Sequence, residues 1–172
     1  MLNRKDVPMN LKWKTEDMFE NLAEWNALFA TTEKRIDFAK YEGKLNTVET
    51  VKACFDELYS VMGDLELLGV YAYMKHDEDS RDSESSALLA RIDELEVRFS
   101  SAIAFMTPEL TALDISVLES FVNDPRLKDY DYEIKGIIKD KAHVLGKEAE
   151  GVLAMGGQVF SSFRNIFGMI NN

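Results

Sequence analysis

Apolar residues recur along this chain at helical spacing. From Val51 they fall at Val51, Phe55, Leu58, Met62, Leu65, Gly69 and Ala72, stepping four and three in alternation. That rhythm lines one seam of a packed helix. A second series, Leu88, Ile92, Leu95, Phe99, Ala102 and Met106, steps the same way, and Lys75–Ser83 between them is largely polar and acidic. The spacing predicts two long helices, about 47–77 and 83–106, folded back as an antiparallel hairpin. Asn46 and Glu49 have capping-box spacing, with Thr47 as a competing N-cap, and Asp82 or Ser83 can cap the second helix.

Shorter elements flank the hairpin. A first helix is expected after Asn21, with Glu24 three residues on; Trp25, Leu28, Phe29, Ile36 and Phe38 form its apolar side and Gly43 its end. Before it, Met9–Phe19 reads as an irregular arm with a single turn at 15–19. Thr107-Pro108 reads as a helix start with threonine capping and proline at the first position. Asn123-Asp124-Pro125 ends the next helix, because the residue before proline avoids helical backbone. Further helices are expected at 128–142, 147–155 and 158–170. No run shows strand alternation, so the expected fold is all-α: an antiparallel helical bundle around the hairpin, residues 1–172 forming a single helical domain. The stretch near 107–116, where the hairpin gives way to shorter helices, leaves a subdivision open.

Composition narrows the setting. The 172 residues are 30% charged and 46% hydrophobic, with a formal net charge of −11. Such a balance repels phosphate backbones and anionic headgroups, so neither nucleic acid nor a membrane is an expected partner. The longest apolar runs are only a few residues, far below the roughly 18 that span a bilayer. Met1–Asp6 leads into polar sequence without the apolar core of a secretory signal. The single cysteine, Cys54, has no internal partner, which suits a reducing cytoplasm.

Candidate chemistry is sparse. His76 and His143 stand 67 positions apart, outside any H-E-x-x-H and without a glutamate three residues before either; both read as ordinary loop or helix-end residues rather than zinc ligands. The acidic connector at 77–82 superficially resembles an EF-hand, but a loop begun at Asp77 puts Arg81 at the fifth place, Asp82 where glycine belongs and Leu88 at the twelfth. Cys54, beside Phe55 in an amphipathic helix, reads as a small hydrophobe rather than a nucleophile. Gly156-Gly157 lacks phosphate-loop spacing. Trp13, Trp25, Tyr71 and Tyr73 read as core or interface anchors. No catalytic, cofactor-binding or metal-ligating residue is assigned.

Four stretches nevertheless carry a resemblance. Lys12-Trp13-Lys14-Thr15-Glu16-Asp17-Met18-Phe19, followed by Trp25, is similar to the tryptophan-then-"DLF/DIF" entry arm of oligoendopeptidase F, a zinc metallopeptidase family that cuts oligopeptides. Phe38–Leu45 resembles that family's "F-x-G-K-L" turn. Tyr71-Ala72-Tyr73-Met74-Lys75 with Asp77-Glu78-Asp79-Ser80-Arg81 resembles its "YA-x-x-K-x-DEDTR" hairpin tip, the most specific match. Phe160–Asn172 resembles the helix closing with "LNN" before the catalytic part. The chain is thus identified as resembling that family's N-terminal domain, truncated before the catalytic domain.

The resemblance implies a helical lobe beside a peptide channel, limiting access to it. It also implies zinc and an H-E-x-x-H glutamate in a segment this sequence does not contain, so no catalytic residue carries over. The implied partners are the catalytic portion of the same polypeptide and an oligopeptide substrate. A stand-alone helical binding or scaffold module is the alternative, and an unrecognised carboxylate or cysteine enzyme a third reading. Val159, Phe160, Phe163, Ile166, Phe167, Met169 and Ile170 fall within about half a helix circumference. That stripe is either absorbed by the lobe's own core or left exposed, with weak self-association of the chain as the result.

Overall fold

In a computed structural model of the chain, residues 7–8 and 11–141 are described. Within them every regular element is helical, as the periodicity predicts. A short 3₁₀ turn at Thr15–Asp17 leads into α1 (Leu22–Arg35), and the hairpin follows as α2 (Val48–Glu78) and α3 (Ser83–Ile103). Then come α4 (Met106–Ala112), α5 (Ile115–Asn123) and α6 (Asp131–Lys141). The helices expected at 147–155 and 158–170, together with His143 and Gly156-Gly157, lie outside the described residues.

Side-chain caps set the start of each long helix. Asn21 Oδ1 accepts from the Glu24 amide at 3.1 Å, while the Glu24 carboxylate reaches back to the Glu20 amide at 2.9 Å. At α2 the threonine wins over Asn46: Thr47 Oγ1 accepts from Thr50 N–H at 3.3 Å. At α3 it is Asp82 that caps, accepting from Ser85 N–H at 2.8 Å. Each satisfies an amide that the first helical turn leaves without a carbonyl.

Three boundaries differ from expectation, each for a local reason. Helix α1 stops at Arg35 instead of running to Gly43. The Asp37 amide turns back to the Arg35 carbonyl at 2.8 Å, which swings Phe38 into full burial and starts a second 3₁₀ turn at Ala39–Tyr41. Gly43, at φ +75°, follows that turn, a conformation glycine adopts without steric cost. The second hairpin helix ends at Ile103 rather than 106. Pro108 lacks an N–H, and its ring would strike the Ala104 carbonyl four residues back. The chain therefore restarts as α4 at Met106, with no side-chain cap from Thr107 and Pro108 in the first turn. The helix expected from 128 begins at Asp131, because Pro125–Tyr130 forms a 3₁₀ helix with Asp124 Oδ1 accepting from Arg126 N–H at 2.9 Å.

Packing runs along α2, which at 31 residues spans about 46 Å. In its upper half the predicted seam is buried: Leu65, Gly69 and Ala72 on α2 and Leu88, Ile92 and Leu95 on α3, with Gly69 against Ile92. Met62, expected in that seam, is 43% exposed, and Val61 is buried in its stead. Leu58 is only partly buried. Helix α1 lies along the hairpin through Trp25, fully buried and donating its indole N–H to the Leu68 carbonyl at 3.1 Å. Of the other aromatics read as anchors, Tyr71 is buried against Phe19 in an edge contact at 5.2 Å. Trp13 and Tyr73 are instead about half exposed, at 50% and 49%. At the lower end Met106, Leu110, Leu118, Leu127 and Ile134 join the same buried cluster as Val51 and Phe55.

Two stability tests follow from this packing. Ile92→Ala should cost about 2–5 kcal/mol, and Val97→Ala, at a residue 66% exposed, should stay within about 0.5 kcal/mol; urea unfolding measures both. The acid limb gives the second. Hydrogen bonds from Arg126 hold the Asp124 carboxyl at about 2, and Lys128 with Lys135 holds Asp131 at about 2, below an ordinary 3.8. Groups depressed on folding stabilise fully above their unfolded pKa and lose that contribution as pH falls through the folded one. Stability should therefore decline between about pH 4 and 2, and Asp124→Asn or Asp131→Asn should flatten that decline in urea midpoints taken across the range.

Candidate functional site

The groups from which catalysis would be built are placed apart or used structurally. Cys54 is buried in α2 with its thiol 3.9 Å from the Met106 sulfur. Burial, and then the charges of Glu57 and Glu109, push that thiol up to about 11, opposite to the depression a nucleophile needs. His76 sits near the end of α2 with Nδ1 3.9 Å from the Asp77 carboxylate. In the acidic connector Asp79 accepts the Arg81 backbone and guanidinium, and Asp82 is consumed as the α3 cap. Among the described residues no group of three His, Cys, Asp or Glu side chains is arranged to hold a metal ion.

What the fold does assemble is a groove. About 370 Å³ in volume, it lies between Phe55, Leu58 and Tyr59 of α2, Met106 and Leu110 of α4, and Glu133, Gly136, Ile137 and Asp140 of α6. Its α2 wall is aromatic: Tyr130 stacks on Tyr59 at 5.5 Å and meets Phe55 edge-on at 5.2 Å. The Tyr59 hydroxyl donates to Glu133 Oε1 at 2.6 Å, tying α2 to α6. Burial, followed by that carboxylate, lifts the Tyr59 phenol to about 12, so it remains a donor at neutral pH. Glu133 Oε2 is buried without a hydrogen-bond partner among the described residues. Past Asp140, Lys141 Nζ donates to the Thr111 and Leu113 carbonyls at 2.6 Å each, placing a cation on the C-terminal carbonyls of α4.

A second feature is the hairpin's outer face. Tyr59, Met62, Val70 and Tyr73 fall within about 80° of the α2 helical wheel and are all exposed. Leu68, whose carbonyl receives Trp25, stands on the opposite side of the helix. Burial, and then the carboxylates of Asp93 and Glu96 on α3, raise the Tyr73 phenol. The exposed Glu66 falls in the middle of the same arc, so the face is mixed, with apolar side chains around a carboxylate.

Neither feature was singled out from sequence. Tyr59 and Glu133 are 74 positions apart, and the sequence reading assigns Met62 to the seam with α3 and Tyr73 to an anchor, which hides the face they share with Tyr59 and Val70. No single helix among the described residues is long and apolar enough to cross a membrane.

Comparison with known proteins gives the chain its relatives. The family model described as Oligopeptidase F matches residues 109–172. An oligoendopeptidase F homolog of Borreliella burgdorferi is 27% identical over 100% of this chain and 29% of its own length. Oligopeptidase PepF of Bacillus subtilis is 30% identical over 99% of this chain and 26% of its own length. The crystal structure of oligoendopeptidase-F from Enterococcus faecium superimposes with a TM-score of 0.70 at 26% identity, over 88% of this chain and 31% of that one. The chain therefore spans between a quarter and a third of the proteins it matches.

The buried thiol yields a direct test. Cys54 should resist a thiol-specific disulfide reagent at pH 8 and react at the rate of unfolding; complete labelling within minutes under native conditions would contradict its burial.

Proposed function

We propose that this chain, a relative of the oligoendopeptidase F family, supplies a non-catalytic helical lobe to a zinc peptidase that hydrolyses oligopeptides, and that the lobe limits access to the peptide channel. The observation that carries the reading is alignment of essentially the whole chain with about a quarter of each named relative. The physical chemistry is consistent with it. Among the described residues, a cysteine held protonated and carboxylates spent on caps and cation pairs leave no nucleophile–base pair of the kind peptide hydrolysis requires. The outer stripe of Tyr59, Met62, Val70 and Tyr73 offers the apolar contact surface a lobe of this kind would turn toward a peptide or the rest of the enzyme. A cytoplasmic setting agrees with a lone, buried Cys54.

In the division of labour proposed here, the zinc and its general base are supplied from outside residues 1–172. The chain's own contribution is exclusion: a rigid hairpin restricts what reaches the channel, so that short unfolded peptides enter and folded chains do not.

Two measurements test this. The isolated chain should show no turnover of a quenched fluorescent oligopeptide and retain no zinc after dialysis; chelator-sensitive cleavage would refute it. In the complete enzyme, Met62→Glu and Val70→Glu should leave folding intact, since both residues are exposed, and change the ratio of kcat/KM for long over short peptides at least threefold. An unchanged ratio would remove the gating role while leaving the family relationship untouched.

A further inference from the structure

The hairpin has two sides, and α1 packs on one of them through Trp25 and the Leu68 carbonyl. On the other, Tyr59, Met62, Gly63, Glu66, Val70 and Tyr73 of α2 fall within about 100° of the helical wheel, and all are exposed. Asp93 and Glu96 of α3 border this face. Both carboxylates act on the Tyr73 phenol, and that of Glu96 lies 3.8 Å from where a Cβ on Gly69 would stand. Glu66, Asp93 and Glu96 form no hydrogen bond or ion pair among the described residues. The cations of the two helices are engaged elsewhere: Lys52 pairs with Asp56 and Arg98 with Glu33, while Arg91 lies over Trp25 and Lys75 over Tyr71. Gly63 adds a second feature. Glycine weakens a helix interior, yet no atom comes within 4 Å of a Cβ added there. Nothing in the described fold requires glycine at that position, and its bare backbone is open to close approach from outside.

We propose that this face binds a short peptide that combines apolar side chains with lysine or arginine. From Tyr59 to Tyr73 it runs about 21 Å, the length of about six extended residues. Apolar side chains pack on Tyr59 and Met62 and approach the bare backbone at Gly63. Basic heads meet Glu66, Glu96 and Asp93 further toward the hairpin tip, where the Tyr73 ring offers its face to a cation. Charge complementarity selects this occupant over a second copy of the chain, which brings the same carboxylates and the same net charge of −11. It selects equally against nucleic acid and anionic lipid. The proposal names the peptides that the lobe described above engages and rests on that reading only for turnover. Binding is measured on the chain itself, so either reading can fail without the other.

Calorimetric titration of the full 172-residue chain tests the occupant. The capped peptide acetyl-Leu-Phe-Leu-Arg-Ala-Arg-amide should bind, and the same peptide with glutamate in place of both arginines should give no heat. Serine in place of its leucines and phenylalanine should weaken binding several-fold. Gly63→Lys should weaken it about tenfold by setting a like charge on the face. Gly136→Lys makes the same change at an equally open helical position away from the face, and should leave binding unaltered. Glu66→Gln with Glu96→Gln should weaken it about fivefold. Glu84→Gln with Glu94→Gln removes as much charge elsewhere on α3 and should have no such effect. Circular dichroism melts check that each variant is folded; all the substituted glutamates are exposed. Absence of binding, equal binding of the glutamate or serine peptide, or equal losses from a face variant and its control each overturns the proposal.

Discussion

The indole of Trp25 against the Leu68 carbonyl is the contact on which the rest depends. A two-helix hairpin buries only the seam between its helices, and α2 and α3 are too long and too apolar on their flanks to stand alone. Trp25 is fully buried, stacks on Phe29 at 5.2 Å, and gives its N–H to a backbone carbonyl in the middle of α2 at 3.1 Å. Arg91 of α3 lies over both rings, at 4.7 Å from Trp25 and 4.2 Å from Phe29, and donates to Asn26 at 2.7 Å. One residue of α1 therefore engages both arms of the hairpin and fixes the crossing of three helices. The ion pairs Arg35–Asp64 and Arg98–Glu33 hold the same interface at its rim, where exposed pairs contribute little on their own.

How much of this was legible in the sequence depends on the range of the cause. The hairpin was readable because a four-three rhythm persists through each arm, and the caps at Asn21, Thr47 and Asp82 because each acts within three residues. Pro108 was recognised as punctuation but its consequence was misplaced: the decisive clash lies four residues earlier, at Ala104, which shortens α3 as well as shaping the start of α4. The turn at Phe38–Gly43 was read as helix because Phe38 continues the apolar spacing of α1. What decides it is remote. Glu109 accepts from Gly43 N–H at 2.8 Å and from Leu45 N–H at 2.6 Å, fastening that turn to α4 across more than sixty residues. The groove was illegible for the same reason.

An acidic chain must also place its carboxylates, and here tyrosines share that work with cations. Tyr41 donates to Glu57 at 2.7 Å, Tyr130 to Asp56 at 2.5 Å and Tyr59 to Glu133 at 2.6 Å. Burial and the adjoining carboxylate raise each phenol. Lys52 and then Tyr130 lower Asp56; for Glu57, burial pushes upward but Lys40 and Tyr41 outweigh it. A phenol donates without bringing a second formal charge to be desolvated, so these pairs tolerate partial burial better than a lysine would.

That economy bears on function. Of the three carboxylates so paired, Glu133 keeps an oxygen unmet among the described residues, beside the groove between α2, α4 and α6. A catalytic site exposes reactive groups to solvent or substrate and tunes their pKa values toward neutrality. Among the described residues several phenols and the Cys54 thiol are driven upward and several acids downward, away from pH 7. What the described hairpin presents outward is a face on which Tyr59, Met62, Val70 and Tyr73 lie exposed around Glu66.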